Sequence, residues 1–257
     1  MTAPHIGVIG GTRGMGRWFA AFLKRSGHLV HVWGRGGPDE IKAVIPRCQV
    51  VIVSVPLGVT LDVIRWVGPI LAPGAALMDL SSLKAEPMAQ MLCWSPSEVV
   101  GLHPLFGPRA RNLKGKNVVL CKGRGELWCS WIRDLLVAQG ARVIEMSPEE
   151  HDRAMAVVQV LTHLNTMSMG LAMMHLGANP KELLGLSTPI FQEKVRMIRK
   201  VFRENPGLYA GIVIRNPHAS EILERYQEAL AMLEEPVRKR DAQGLLNLLS
   251  GWPEKRA

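Results

Sequence analysis

Ile6-Gly7-Val8-Ile9-Gly10-Gly11-Thr12-Arg13-Gly14-Met15-Gly16 begins as a short apolar strand, crosses a run of glycines and enters an amphipathic stretch that continues to Arg25. A chain that turns this sharply from strand to helix exposes backbone N–H groups at the helix N-terminus, an arrangement that favours a pyrophosphate. The same glycines would serve a tight structural turn, but the flanking strand and helix favour dinucleotide binding. Read from Gly11 to Gly16, the fingerprint carries Arg13 where its middle glycine belongs. That side chain either crowds the pyrophosphate or offers a phosphate its guanidinium.

Outward from this turn, His28 to Trp33 reads as a second strand and Val50-Val51-Ile52-Val53-Ser54-Val55 as a third. The third is nearly all apolar, as befits a parallel strand covered on both faces. Ala75 to Leu80, Val99 to Leu102, Val118 to Cys121 and Val143 to Glu145 read as later strands, with helical patterns over 59–71, 85–93 and 125–139. The alternation predicts an α/β fold, a doubly wound parallel sheet spanning residues 1–147. Composition then changes at Ser147-Pro148-Glu149-Glu150, where a Ser cap, a Pro at the first helical position and two acids mark a helix start. The apolar stretch from there to about Leu176 predicts one long buried helix. Later helical segments break at Asn179-Pro180, Thr188-Pro189, Asn205-Pro206 and Asn216-Pro217, and only Ile212-Val213-Ile214 keeps strand character. Residues 148–257 are therefore expected to form an all-helical domain.

The 257 residues are 47% hydrophobic and 21% charged, with 25 Gly and 17 Pro, which excludes a disordered, collagenous or coiled-coil chain. No apolar run approaches the ~20 residues of a membrane span. Met1-Thr2-Ala3-Pro4-His5 has neither the basic nor the apolar region of a signal peptide, so a cytoplasmic location is expected. Cys48, Cys93, Cys121 and Cys129 are scattered without metal-ligand spacing, which predicts reduced thiols and no metal site. The charge balance, 31 − 22 = +9, suits a small anionic substrate, a phosphorylated cofactor or nucleic acid. With 5% aromatics and no nucleic-acid motif, a nucleic-acid partner is not expected.

After the second strand comes Trp33-Gly34-Arg35-Gly36-Gly37, with no carboxylate before Asp39 to hold a ribose 2′-hydroxyl. Arg35 suits a 2′-phosphate, so NADP is expected ahead of NAD; the plain alternative is a solvated arginine. Three polar segments follow strands where ligands bind in such sheets: Ser54-Val55-Pro56, Asp79-Leu80-Ser81-Ser82-Leu83-Lys84 and His103-Pro104-Leu105-Phe106-Gly107-Pro108. A histidine leaving a strand ahead of two prolines is held stiffly, which suits proton transfer near neutrality and equally a structural histidine.

These segments resemble the prephenate/arogenate dehydrogenases of tyrosine biosynthesis through nearly the whole chain. The most specific are the His103-Pro-Leu-Phe-Gly-Pro loop and, in order, Gln159…His163, Leu186-Ser187-Thr188-Pro189-Ile190-Phe191 and Asn205-Pro206-x-Leu208-Tyr209-Ala210. The resemblance implies a Rossmann-type domain followed by a helical dimerisation domain, hence a homodimer. It implies oxidation at the hydroxyl-bearing ring carbon of prephenate or arogenate, with loss of the ring carboxylate as CO2. His103 would accept the hydroxyl proton, Ser82 would bridge histidine, hydroxyl and nicotinamide, and Lys84 would bring positive charge near the substrate. His163 would face the substrate cleft; its alternative is a core histidine bonded to a backbone carbonyl. Gly10, Gly11, Thr12, Arg13, Gly14, Met15, Gly16, Arg35, Ser54, Val55 and Pro56 would line the cofactor site.

One departure concerns the substrate's side-chain carboxylate, which an arginine holds in that family. Lys200 stands at the matching position, beside Arg199 and one turn after Arg196. Lysine offers a point charge where arginine offers a bidentate fork, so either Lys200 binds less tightly or an arginine takes over. Gln192 could add a polar contact. The other six histidines, His151 among them, read as structural or surface groups. Two alternatives stay open: another NADP-dependent reductase of this architecture, such as a deazaflavin-linked one, and a family member with impaired activity.

Overall fold

The computed structural model describes residues 4–36 and 38–251; Met1 to Ala3, Gly37 and the tail cations Lys255 and Arg256 lie outside the described residues. The sheet-forming part runs β1 (His5–Ile9), α1 (Gly14–Arg25), β2 (Leu29–Trp33), α2 (Pro38–Val44), β3 (Val50–Val53), α3 (Leu57–Val67), β4 (Ala76–Asp79), α4 (Ala85–Trp94), β5 (Glu98–Pro104), β6 (Asn117–Arg124), α5 (Leu127–Ala138) and β7 (Arg142–Glu145). The helical part follows: α6 (Pro148–Met155), α7 (Thr162–His175), α8 (Pro180–Leu184), α9 (Pro189–Arg199), α10 (Pro206–Arg215), α11 (Ala219–Lys239) and α12 (Ala242–Ser250).

Seven strands form one sheet in the order β2-β1-β3-β4-β5-β6-β7. Val50 and Ile52 of β3 pack on one face with Trp18, Phe19 and Leu23 of α1 and Ile132 of α5. Val51 and Val53 pack on the other with Ile41, Ile64 and Met91 from α2, α3 and α4. Layers on both faces explain the unbroken apolar run of that strand. The parallel pattern holds only through β5: β6 runs antiparallel to β5, and β7 is parallel to β6. Val118 to Cys121 and Val143 to Glu145 are thus strands, but reversed. The connection over 105–116 contains no helix to carry the chain across the sheet, so it returns as an antiparallel neighbour.

Ser147 caps α6 through a full capping box: its hydroxyl accepts from the Glu150 amide, and the Glu150 carboxylate accepts from the Ser147 amide. The expected single buried helix differs in two ways. A π-helical segment, Ala156–Leu161, joins α6 to α7. Much of the apolar surface is also open within one chain, with Val157 56% and Met174 65% exposed. Ile212-Val213-Ile214 is helical, inside α10. No helix among the described residues is long and apolar enough to cross a membrane.

Candidate active site

The glycine turn is built tightly against β3. Gly10 has φ +81°, and a Cβ there would lie 2.1 Å from the Ser54 carbonyl oxygen. A Cβ on Gly16 would lie 2.5 Å from the Gly10 carbonyl oxygen. Both glycines are therefore required by the close approach of turn, helix and strand. Arg13, the departure from the fingerprint, caps α1 with φ −142° and ψ 167°, extended backbone that any residue adopts. The first turn of α1 has no acidic residue and no side-chain cap, so its amides stay open, and no atom lies within 4 Å of a Cβ built on Gly14. This turn fits a bound pyrophosphate. Thr12 packs against Gly34, and Arg35 is exposed just beyond. Met15 is half-buried, as are Ser54 and Val55 at the end of β3, while Pro56 is exposed.

His103 stands near the end of β5, paired in register with Val119 of β6, and is 4% exposed. It is thus a strand residue rather than part of the loop. The loop after it is secured from α1, where the Trp18 indole donates to the Ala110 carbonyl at 2.6 Å and meets Phe106 edge-on. His103 Nδ1 lies 2.8 Å from His151 Nε2, and His151 Nδ1 lies 2.7 Å from Asp152 Oδ1. Asp152 also accepts from the amides of Lys84 (2.8 Å) and Ala85 (3.0 Å) at the N-terminus of α4. Burial would raise its pKa, but the His151 and amide hydrogen bonds outweigh that and lower it.

An anionic carboxylate only accepts, so His151 Nδ1 carries its proton. In the arrangement where His151 holds that one proton, its Nε2 presents a lone pair and His103 Nδ1 is the donor. His103 Nε2 is left as a lone pair, 3.5 Å from the amide nitrogen of Gln159 in the π segment. Burial first, then His151 and Lys84, hold His103 well below the ordinary histidine pKa. The imidazole is neutral near pH 7, with its free nitrogen turned toward the helical part.

Among the described residues, the helical part also holds buried polar atoms with no partner. Gln159 Oε1 and His163 Nδ1 are buried without a hydrogen bond. His163 lies edge-on to Tyr209 with centroids 4.8 Å apart, and among the described residues no backbone carbonyl takes a hydrogen bond from its Nδ1. Burial and the nearby Lys200 charge both lower its pKa. Ser82 is half-buried between β4 and α4.

Lys84 departs from expectation. Its side chain is fully buried, and Nζ donates to Asp79 Oδ2 at 2.5 Å and to the Leu102 carbonyl at 3.0 Å. Gly101 makes the space: a Cβ there would lie 3.0 Å from Lys84 Cδ. The ammonium is engaged beneath the site rather than presented in it, although its charge reaches His103. Arg196 and Arg199 are exposed and pair with Glu193 and Glu204, while Gln192 donates to the Ser187 hydroxyl. Of the basic cluster, Lys200 is the group coupled to His163.

His151 and Asp152 are what sequence reading missed. They fell within a helix start whose acids looked like ordinary first-turn charges. The available signal was a histidine–carboxylate pair on the side of α6 that also carries the buried Met155.

Two family models divide the chain between them. Residues 34–145 match "Prephenate dehydrogenase, nucleotide-binding domain", and residues 147–251 match "Prephenate dehydrogenase, dimerization domain". The chain is 34% identical over 263 residues to a probable arogenate/prephenate dehydrogenase of Methanocaldococcus jannaschii, covering 95% of this chain and 59% of that protein. It is 32% identical over 244 residues to the T-protein of Haemophilus influenzae, covering 93% and 64%. The chain thus spans about three-fifths of the length of these curated relatives. The prephenate dehydrogenase of Aquifex aeolicus, solved with hydroxyphenyl propionate and NAD+, has the same fold: TM-score 0.76, 22% identity, 97% of this chain and 96% of that one. The two consecutive domain matches and the shared fold place this chain in the prephenate dehydrogenase family.

Proposed function

We propose that this chain oxidises prephenate or arogenate at the hydroxyl-bearing ring carbon, with hydride transfer to NADP and release of the ring carboxylate as CO2. One observation carries the reading: in the hydrogen-bond chain Asp152–His151–His103, with one proton on each imidazole, His103 Nε2 is left as an acceptor 3.5 Å from Gln159 of the helical part. Nε2 takes the hydroxyl proton as that oxygen becomes a carbonyl. When the C–CO2 bond breaks, its electron pair aromatises the ring and the proton returns to the oxygen, so no net proton is released. Ser82 holds the hydroxyl beside His103.

When bound, the cofactor supplies the hydride acceptor. The turn from Gly10 to Gly16 would hold its pyrophosphate, with the Arg13 guanidinium on a phosphate. Arg35 would meet the 2′-phosphate, and Ser54, Val55 and Pro56 would border the nicotinamide half. Lys200 and His163 would receive the side-chain carboxylate, since Arg196 and Arg199 already hold glutamates. The net charge of +9 favours capture of a dianion.

Residues 148–257 would form the substrate and dimerisation domain. Val157, Val158 and Met174 on the α6–α7 helix and Leu230, Met232 and Val237 on α11 are exposed apolar side chains of the kind a second copy would cover. Light scattering should then give twice the chain mass. The activity is tested by following reduced-nicotinamide absorbance with each substrate and each cofactor. Absence of turnover in all four combinations overturns the proposal.

A further inference from the structure

His103 presents a chemical difficulty as a lone base. Its surroundings keep it neutral, and for that reason they also make it a weak holder of the proton it must accept. The same groups stay in place during the reaction: Lys84 with its partner Asp79 at the end of β4, Cys121 on β6, His151 and Asp152 on α6, and Glu149 near by. A positive charge left on His103 would lie close to the Lys84 ammonium with no carboxylate in contact.

Resting on the function proposed above, we propose that His103 and His151 act together as a two-imidazole proton store. The substrate hydroxyl proton binds His103 Nε2. In the same movement the His103 Nδ1 proton passes to His151 Nε2, 2.8 Å away, and His103 stays neutral. The charge then lies on His151, whose Nδ1–H already donates to the Asp152 carboxylate at 2.7 Å. Each imidazole gains one proton on one nitrogen and loses or keeps one on the other, so the store ends with one added proton. The sequence reverses when the ring aromatises and the oxygen takes its proton back.

The geometry supports this over a purely orienting role. His151 is fully buried and Asp152 is 2% exposed, so no water competes for the proton in transit. Asp152 is itself held by two amides at the N-terminus of α4, which favour its anionic form through hydrogen bonding and the helix dipole. His151 and Asp152 are positioning residues here, acting on the substrate only through His103.

Two variants separate storage from orientation. In His151→Gln, the amide oxygen can accept from His103 Nδ1 and the amide nitrogen can donate to Asp152, so the His103 tautomer is kept while the proton has nowhere to go. Asp152→Asn removes the carboxylate that sets the tautomer. The tautomer is read by nitrogen-15 NMR of the imidazoles in the full chain without substrate. This readout holds whether or not the proposed substrates turn over, so failure of the assigned activity is distinguishable from failure of the store. Turnover is read as kcat and KM against pH with prephenate and NADP.

The expected result is an Nδ1–H tautomer for His103 in the wild type and in His151→Gln, with kcat of His151→Gln lowered by roughly 10²-fold and KM little changed. Asp152→Asn should shift the tautomer and lower kcat similarly. An Nε2–H tautomer in the wild type overturns the proposal, as does wild-type kcat in a folded His151→Gln. If Asp152→Asn does not fold, the wild-type tautomer and the His151→Gln rates decide alone.

Discussion

Replacing Lys84 by methionine removes the cation from a pair that no water reaches. Both side chains are 0% exposed, with Nζ 2.5 Å from Asp79 Oδ2. At an effective dielectric of about 20, that separation corresponds to roughly 7 kcal/mol of attraction. Desolvating the two ions offsets much of this. The methionine variant keeps the desolvated Asp79 carboxylate, whose Oδ1 already lacks a partner, and loses its counter-charge. Breaking such a pair from one side costs about 3–5 kcal/mol, a large share of a typical stability of about 5–15 kcal/mol. Chemical denaturation should show the loss as a lower midpoint, and adding Asp79→Leu should restore most of it. Removing the Lys84 charge also lets the His103 pKa rise toward its ordinary value, so the acid limb of the rate profile should move to higher pH. If Lys84→Met instead kept the wild-type midpoint and raised KM for the substrate about tenfold, its ammonium would belong in the cleft and the burial argument would fail.

Arg35→Asp should shift the ratio of kcat/KM for NADP over NAD toward NAD by at least about tenfold, roughly 1.4 kcal/mol; an unchanged ratio removes Arg35 from the cofactor site. Lys200→Ala should raise KM for prephenate about tenfold while Arg196→Ala changes it little, and the reverse ordering would move the carboxylate anchor to α9. Gly16→Ala should abolish NADP binding measured by calorimetry, because its Cβ would lie 2.5 Å from the Gly10 carbonyl oxygen; wild-type affinity would mean the turn yields. Acid should destabilise the fold early. His103 and His163 have lowered folded-state pKa values, so below the ordinary histidine value of about 6.5 the unfolded chain binds protons the folded one refuses. Denaturation midpoints should fall as pH drops through that region, and a flat profile would mean that both imidazoles take up protons as readily in the folded protein as in the unfolded chain.

The parallel half of the sheet was legible because its signals are local. β3 is apolar at every position, and the glycines around Gly10 and Gly16 report a backbone that no side chain could enter. The reversal at β6 was not legible, since strand character in Val118 to Cys121 is the same in either direction. Only the helix-free connection before it differs. His103 was legible from its place after a strand, but its tautomer depends on His151, 48 residues away. Lys84 misled because charge in sequence looks available, whereas burial depends on Gly101 opening space from a neighbouring strand. The apolar α6–α7 stretch also misled: continuous hydrophobicity does not say whether the cover comes from the same chain or another.

The π segment shows why this site needs both halves of the chain. In a regular helix, successive residues are spaced by 100°, and widening one turn shifts every later side chain around the axis relative to those before it. Met155, on α6, is buried, while Val157 and Val158 within the widened turn are exposed and Gln159 reaches His103 Nε2. One turn later His163 is buried again, against Tyr209. The same helix therefore presents His151 at one nitrogen of His103 and Gln159 at the other. Asp152 ties this helix to α4 by side-chain acceptance from Lys84 and Ala85 and to Asn216 through its backbone carbonyl. Whatever loosens that junction also loosens the carboxylate that His151 holds beside His103, so docking of the helical part and the hydrogen bonding of His103 depend on the same few hydrogen bonds.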